Sequence, residues 1–381
     1  MNARIYILAG GSCSGKTTLL NLIEETDLLN AVILQKYSDR KERDGNDDVT
    51  HVDDIKNGDY SFVYYMQDNF YGFKLNEIIE PLKNGKNVFL IISDIRVIEE
   101  IRNYFGEFVS VLYLFRNMSD DEFETYMKMR EKGSKEKEDN SKQIRKNRLY
   151  LIQRQYIENI SLFDYVILNR KKESEKMLLQ VKNITDGYIN YGTKPHKGPV
   201  IFLIAAASGA GKKTLMEAMY SLGSKSINVI KKETDRDQQP GDGPEIIAGV
   251  KNVKGKYIIN YSFGNNNYAI DDKIIWDNLK TGLPQIIITN MQQFHKFREI
   301  FGNSTVNIYL HATRTSKELY EHQLQKLNGD RNKAELKIKK VEQIHQDYIK
   351  NISLFHHVLL NTIKKEDLWD QMFKLIQYYK K

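Results

Sequence analysis

The chain has a single cysteine, Cys13, so no disulfide can form within it, and a reducing cytoplasmic setting is the expectation. No uninterrupted apolar run approaches the roughly 18–20 residues a membrane-spanning helix needs, so no membrane partner is expected. The opening MNARIYILAGG has no cationic leader, long apolar stretch or cleavage site, and a secretory signal is not expected either. Prolines number only 6, and beside abundant Lys, Asn and Ile the 23 tyrosines read as core and boundary residues. A basic tract is also missing: Lys and Arg total 57 against 50 Asp and Glu, a net charge of +7 with the signs interspersed. That balance favours anionic partners weakly, does not indicate a nucleic-acid footprint, and is met equally by phosphorylated small molecules. What is present is the composition of a folded protein, 41% hydrophobic and 28% charged, over 381 residues, more than one typical domain needs.

The chain reads as two copies of one pattern. YIENISLFDYVILN at 156–169 returns as YIKNISLFHHVLLN at 348–361, 192 residues later, and ILAGGSCSGKTTL at 7–19 lines up with LIAAASGAGKKTL at 203–215, 196 residues later. Between these anchors Arg40 falls on Arg236, and Phe105-Gly106 on Phe301-Gly302. The segment YGTKPHKGP at 191–199, with two glycines and two prolines, reads as a seam. The expected division is a domain at 1–192, a linker at 193–197 and a second domain at 198–381. In the first copy RIYILAG, NVFLIIS, VSVLYLF and DYVILN are continuous apolar strands alternating with helical stretches such as KTTLLNLIEE. That alternation predicts an α/β fold, a mostly parallel sheet flanked by helices on both faces, in each copy.

GGSCSGKT at 10–17 satisfies GxxxxGK(S/T) at Gly10, Gly15, Lys16 and Thr17, with a strand before it and a helix after it. Glycines allow backbone NH groups to turn onto phosphate oxygens, Lys16 adds a full charge, and the helix start adds partial charge. Gly10, Ser12, Ser14, Gly15, Lys16, Thr17 and Thr18 are therefore the expected ATP-binding set, with the Thr17 hydroxyl on Mg2+. The second copy keeps Ser208, Gly209, Gly211 and Lys212, which with Arg236 form its candidate phosphate-binding set. Ala206 there replaces the first glycine, and Lys213 stands where the first copy has Thr17. A lysine cannot ligate Mg2+ as a hydroxyl does, so the second copy reads as degenerate.

Downstream of the loop the first copy resembles the guanylate kinase-like family of P-loop kinases. SDRKER at 38–43 is similar to the TTRxxR segment of that family, DNFYG at 68–72 to its GNYYG segment, and QIRKNRL at 143–149 to its lid and following helix. SLFDYVILN is similar to its final strand. The resemblance implies two tandem P-loop kinase domains, each with a mobile lid, here around 131–146. It also implies Mg-ATP-dependent phosphoryl transfer by the first. Arg40, Arg43 and Tyr71 would hold the acceptor phosphate, Arg148 and Arg145 would serve catalysis beside Lys16, and Asp94 would join Thr17 at the metal. The physics agrees: unit charges ~4 Å apart repel by about 4 kcal/mol even at an effective dielectric of ~20, so several cations must converge where two phosphoryl groups meet.

The base-reading half of the family pattern is missing. Lys36 occupies the position of a serine that helps recognise guanine, no glutamate occurs between Asp44 and Tyr71, and the strand end reads Ile91-Ile92-Ser93-Asp94. The acceptor thus stays open between GMP, a related nucleoside monophosphate, and another phosphorylated compound, with ribose-bisphosphate kinases as a precedent by resemblance. A non-catalytic binding, scaffold or regulatory protein is the alternative of a different class. Either an intramolecular pairing of the two domains or a homodimer is compatible with the sequence.

Overall fold

The apolar runs become the central strands of two parallel sheets. The computed structural model describes residues 3–380, apart from 12, 42–48, 67, 119–121, 124, 126–146, 148–149, 152, 171–172, 192–196, 224, 240–241, 315 and 363. The chain divides into two units, Met1–Asn190 and Tyr191–Lys381. The linker expected at 193–197 falls almost wholly outside the described residues.

The first unit runs β1 (Ile5–Gly10), α1 (Lys16–Thr26), β2 (Ala31–Ile33), β3 (Lys36–Ser38), β4 (Val49–His51), β5 (Ser61–Met66), β6 (Asn69–Phe73), α2 (Leu75–Lys83), β7 (Asn87–Ile91), α3 (Ile95–Phe105), β8 (Val109–Arg116), β9 (Tyr165–Asn169) and α4 (Ser174–Tyr191). Its main sheet has the order β2-β7-β1-β8-β9, with every pairing parallel. All of β1 is buried, as a strand covered on both faces requires, and its Tyr6 ring stacks on Phe89 of β7. A second sheet, β4-β3-β6-β5, is mixed: β3 and β4 pair parallel, while β6 pairs antiparallel with β3 and β5. Helix α4 buries Met177, Val181 and Ile184, a stripe at helical spacing.

The second unit runs β10 (Ile201–Ala206), α5 (Lys212–Leu222), β11 (Asn228–Val229), β12 (Lys232–Thr234), β13 (Ile246–Ile247), β14 (Ile259–Phe263), β15 (Asn266–Ile270), α6 (Asp272–Lys280), β16 (Gln285–Ile288), α7 (Phe294–Phe301), β17 (Thr305–Ala312), α8 (Ser316–Lys326), α9 (Arg331–Lys350), β18 (His357–Asn361) and α10 (Lys365–Lys380). Its main sheet, β11-β16-β10-β17-β18, is again all parallel, and its smaller sheet has the order β13-β12-β15-β14. No helix among the described residues is long and apolar enough to cross a membrane.

In both units the first strand sits at the centre of the main sheet and its carboxyl end leads into the glycine-rich loop, so the loop lies at the edge where open parallel sheets bind ligands. The edge strand β9 is locked by a fully buried glutamine of α4: Gln180 Oε1 accepts from Leu168 N at 2.9 Å and Nε2 donates to Leu168 O at 3.0 Å. Gln371 of α10 makes the same pair with Leu360 of β18, at 2.8 and 2.9 Å. Each such pair satisfies an edge-strand backbone group that burial would otherwise orphan.

Candidate active site

The loop after β1 is shaped by three residues with left-handed backbone, Gly10 (φ +145), Cys13 (φ +62) and Gly15 (φ +103). Contact as well as torsion demands glycine at two of them. A Cβ on Gly10 would lie 2.5 Å from Leu114 O, and one on Gly15 would lie 2.5 Å from Asn169 Nδ2. The Lys16 ammonium bridges the loop, donating to Gly10 O and Gly11 O, each at 2.8 Å. Ser14 is buried (3% exposed), and its hydroxyl has no hydrogen-bond partner among the described residues. An orphan hydroxyl beside left-handed glycines at a helix start suits phosphate oxygens, so the residues present fit a nucleotide's phosphates. Thr17 and Thr18 are exposed on the first turn of α1, where the Thr17 hydroxyl is accessible to a metal ion.

Asn169, the last residue of β9, holds this loop from outside, its Nδ2 donating to Ser14 O at 2.7 Å. Helix α4 fixes β9 through Gln180, and β9 fixes the loop through Asn169. Sequence reasoning passed over both residues. The signal was there, since the repeated phrase ends in asparagine in both copies.

Of the residues expected at an acceptor phosphate, Tyr71 lies in β6 of the smaller sheet and Arg40 just beyond the end of β3. Ser38 pairs with Tyr71 across β3 and β6, and the Ser38 hydroxyl donates to Phe70 O at 2.7 Å while accepting from Arg40 N at 3.2 Å. Arg40 is buried, and His51 Nδ1 donates to its carbonyl at 2.8 Å. Tyr71 is buried and stacks on Tyr64, with ring centres 5.3 Å apart. Arg40 thus follows, two residues on, the strand partner of Tyr71. The structure adds Lys36, whose ammonium lies 5.5 Å from the centre of the Tyr71 ring. Where the family pattern has a base-reading serine, this chain sets another cation.

Asp94 caps α3: its carboxylate accepts from Arg96 N and pairs with Arg96 Nη2, both at 2.9 Å. Burial alone would raise its pKa, but the Arg96 hydrogen bonds and charge hold it below the ordinary carboxylate value. No group of three or more His, Cys, Asp or Glu fit to hold a metal occurs among the described residues. Ser12, Arg43, Arg145 and Arg148, with the lid expected at 131–146, lie outside the described residues.

The second unit repeats the loop with altered chemistry. Lys212 donates to Ala206 O at 3.0 Å and Ala207 O at 2.7 Å, and Asn361 Nδ2 donates to Ala210 O at 2.8 Å. Gly209 (φ +81) and Gly211 (φ +105) are left-handed, Ala206 is not, and Ser208, just before Gly209, is half-buried. Lys213 is exposed and lies 3.9 Å from Glu217 along the helix. Arg236 is held bidentately by Asp242, Nη1 to Oδ2 at 2.8 Å and Nη2 to Oδ1 at 2.7 Å, and Gln239 N donates to the same carboxylate at 2.8 Å. That pairing lifts the arginine's pKa and lowers the aspartate's. Lys232 lies 5.5 Å from the centre of the Tyr268 ring, as Lys36 does over Tyr71. Withdrawal from water pushes the Lys212 pKa down to about 8, helped by the charges of Lys232, Lys326 and Lys337. Withdrawal from water likewise lowers Lys232 to about 8.

No family model matches the sequence. Among curated proteins it is 30% identical over 141 residues to the guanylate kinase of Fusobacterium nucleatum subsp. nucleatum, an alignment covering 35% of this chain and 74% of that enzyme. Among solved structures it aligns with the guanylate kinase from Anaplasma phagocytophilum at 16% identity and a TM-score of 0.36, over 49% of this chain and 89% of that one.

Proposed function

Because the chain belongs to the guanylate kinase family, we propose that its first unit transfers a phosphoryl group from ATP, with Mg2+, to a nucleoside monophosphate such as GMP or to a similar phosphorylated small molecule. The observation that carries this reading is the complete loop of the first unit, with the Lys16 ammonium across its mouth and the orphan Ser14 hydroxyl within it. When bound, Mg-ATP supplies the phosphoryl group, and its metal neutralises part of the charge that gathers as the group moves. Thr17 would hold the metal, with Asp94 as a further candidate. Lys16 stabilises charge developing on the transferred group, and the loop NH groups orient the phosphate chain. Arg40, Tyr71 and Arg43 hold the acceptor phosphate, with Lys36 adding charge beside them. Arg145 and Arg148 would close over the reacting groups and exclude water, which would otherwise accept the phosphoryl group. No side chain need act as nucleophile, since the acceptor brings its own phosphate oxygen.

The missing base-reading residues and the Lys36 ammonium favour an acceptor recognised chiefly by its phosphates, which keeps a ribose-bisphosphate type of acceptor in the reading beside GMP. For the second unit a non-catalytic role is favoured, because Asp242 engages the arginine that would meet an acceptor and Lys213 replaces the metal-binding hydroxyl. We read the two units as a duplication, 1–192 active and 198–381 degenerate.

ADP release with Mg2+, measured across GMP, dGMP, AMP, CMP, UMP, dTMP and ribose phosphates, tests this. One acceptor should accelerate turnover, and Lys16→Ala should lower that rate by about 100-fold or more. A fully active Lys16→Ala protein would overturn the assignment.

A further inference from the structure

We propose that the second unit contains a metal-independent polyphosphate site, formed by the loop 206–213 with Lys212 and capped by the Gln323 amide, which binds its ligand without transferring a phosphoryl group. The inference does not depend on activity in the first unit.

Gln323 is the key residue. It lies on α8, is fully buried (0% exposed), and neither its Oε1 nor its Nε2 has a hydrogen-bond partner among the described residues. Burying an amide without partners is unfavourable, and natural folds rarely do it without a use for the group. Its Nε2 points at the phosphate loop: a Cβ on Gly209 would lie 2.6 Å from it. Leu319 Cδ1 and His322 Cδ2 come within 3.8 and 3.7 Å of the same point, so one helical face of α8 is laid on the loop. Arg314 Nη1 donates to Gly209 O at 3.4 Å, bringing a guanidinium to the same place.

The electrostatics fit an anion there. Lys232 of β12, the exposed Lys326 of α8 and the half-buried Lys337 of α9 all act on Lys212 with like charge, so the field at the loop is positive. Lys212 and Lys232 carry their charges withdrawn from water, and a bound polyanion relieves that cost. The acceptor half is closed by the chain itself: the Asp242 carboxylate engages Arg236 as a phosphate would, bidentately and at hydrogen-bond distance. A second phosphorylated substrate therefore has no arginine to meet at Arg236, and a single polyphosphate chain along the loop is the ligand that fits. The lysines do the neutralising that Mg2+ does elsewhere, which is consistent with Lys213 standing where a metal-binding hydroxyl would be.

Both tryptophans, Trp276 and Trp369, belong to this unit, so tryptophan fluorescence follows its unfolding within the full chain. The experiment is a thermal melt in EDTA with ATP, inorganic tripolyphosphate or orthophosphate. ATP or tripolyphosphate at roughly 100-fold excess over Kd should raise the transition by about 5 °C or more, and orthophosphate should not. Equal shifts with ATP and tripolyphosphate mean the phosphates alone are read; a shift with ATP only assigns the site to nucleotides. Gln323→Leu should leave the ligand-free transition unchanged or higher, since it removes an unsatisfied amide, while weakening apparent affinity at least tenfold. Lys212→Met should abolish the shift. The proposal is overturned by a shift that requires Mg2+, by no shift with either polyphosphate, or by a shift that survives Lys212→Met and Gln323→Leu. It is equally overturned if the shift disappears with Lys16→Met, or if a Lys16→Ala protein still turns over ATP through Lys212.

Discussion

At the scale of single residues, the lysines of the second unit make pH a direct probe of its state. Lys212 and Lys232 have folded pKa values near 8, below the ordinary lysine value of 10.5. The fold therefore disfavours their protonated forms, and between about pH 8 and 10.5 the unfolded chain binds more protons than the native one. Below pH 8 the penalty is present in full, and it is relieved as pH rises. The tryptophan-reported melting transition of ligand-free protein should accordingly climb between pH 7 and 9.5, and in Lys212→Met that climb should be smaller. A transition that falls over this range, with no difference between the two proteins, would contradict the burial of these charges. Lys36 and Lys232 also show why parts of the site were not legible in the sequence. Either lysine reads as a surface charge in a short strand, and only the pairing of β3 with β6, or of β12 with β15, sets it beside a tyrosine. Asp242 was hidden in the same way, because no periodicity in the sequence pairs it with Arg236, six positions earlier.

At the scale of elements, the helix starts separate the two uses of Asp94. As the N-cap of α3 it satisfies a backbone NH that the helix itself cannot, and Asp94→Ala should lower stability by about 1 kcal/mol in denaturant melts. Asp94→Asn keeps a capping oxygen but removes the charge, so it should be nearly as stable as the parent. If Asp94 also serves the metal, the asparagine variant will need several-fold more Mg2+ for half-maximal turnover. A Mg2+ titration identical to that of the parent would restrict Asp94 to the cap. The strands of the main sheets were plain from their apolar runs, and the loop from its glycines, because hydrophobic period and left-handed backbone are local properties. The clamps were not: Gln180 and Gln323 sit on helical faces where a polar residue reads as solvated, and their burial is decided by what the rest of the unit packs against them.

At the scale of the whole molecule, each unit has its own buried central strand, its own smaller sheet and its own closing helix. If the first unit alone carries the chemistry, a fragment of residues 1–192 should fold and keep the acceptor-stimulated ATP turnover of the full chain within about twofold. Loss of turnover in a fragment whose circular dichroism is native would mean that residues 198–381 contribute to the reaction. The repeated phrases made a two-part reading available from sequence, while the differing chemistry of the two loops only became concrete in Asp242 and Gln323.

The asparagine tether of each loop has a consequence for the order in which the molecule is made. Ser14 is held by Asn169, 155 positions further along, and Ala210 by Asn361, 151 further along. A chain emerging from a ribosome exposes each glycine-rich motif long before the strand that locks it, and pairings of such separation form late because loop closure must come first. The glycine-rich loop is therefore among the last parts of each unit to become rigid, and a nascent chain halted before Asn169 carries the whole motif without the clamp that sets it. Nucleotide captured during synthesis would report completion of the unit, not the mere presence of its signature.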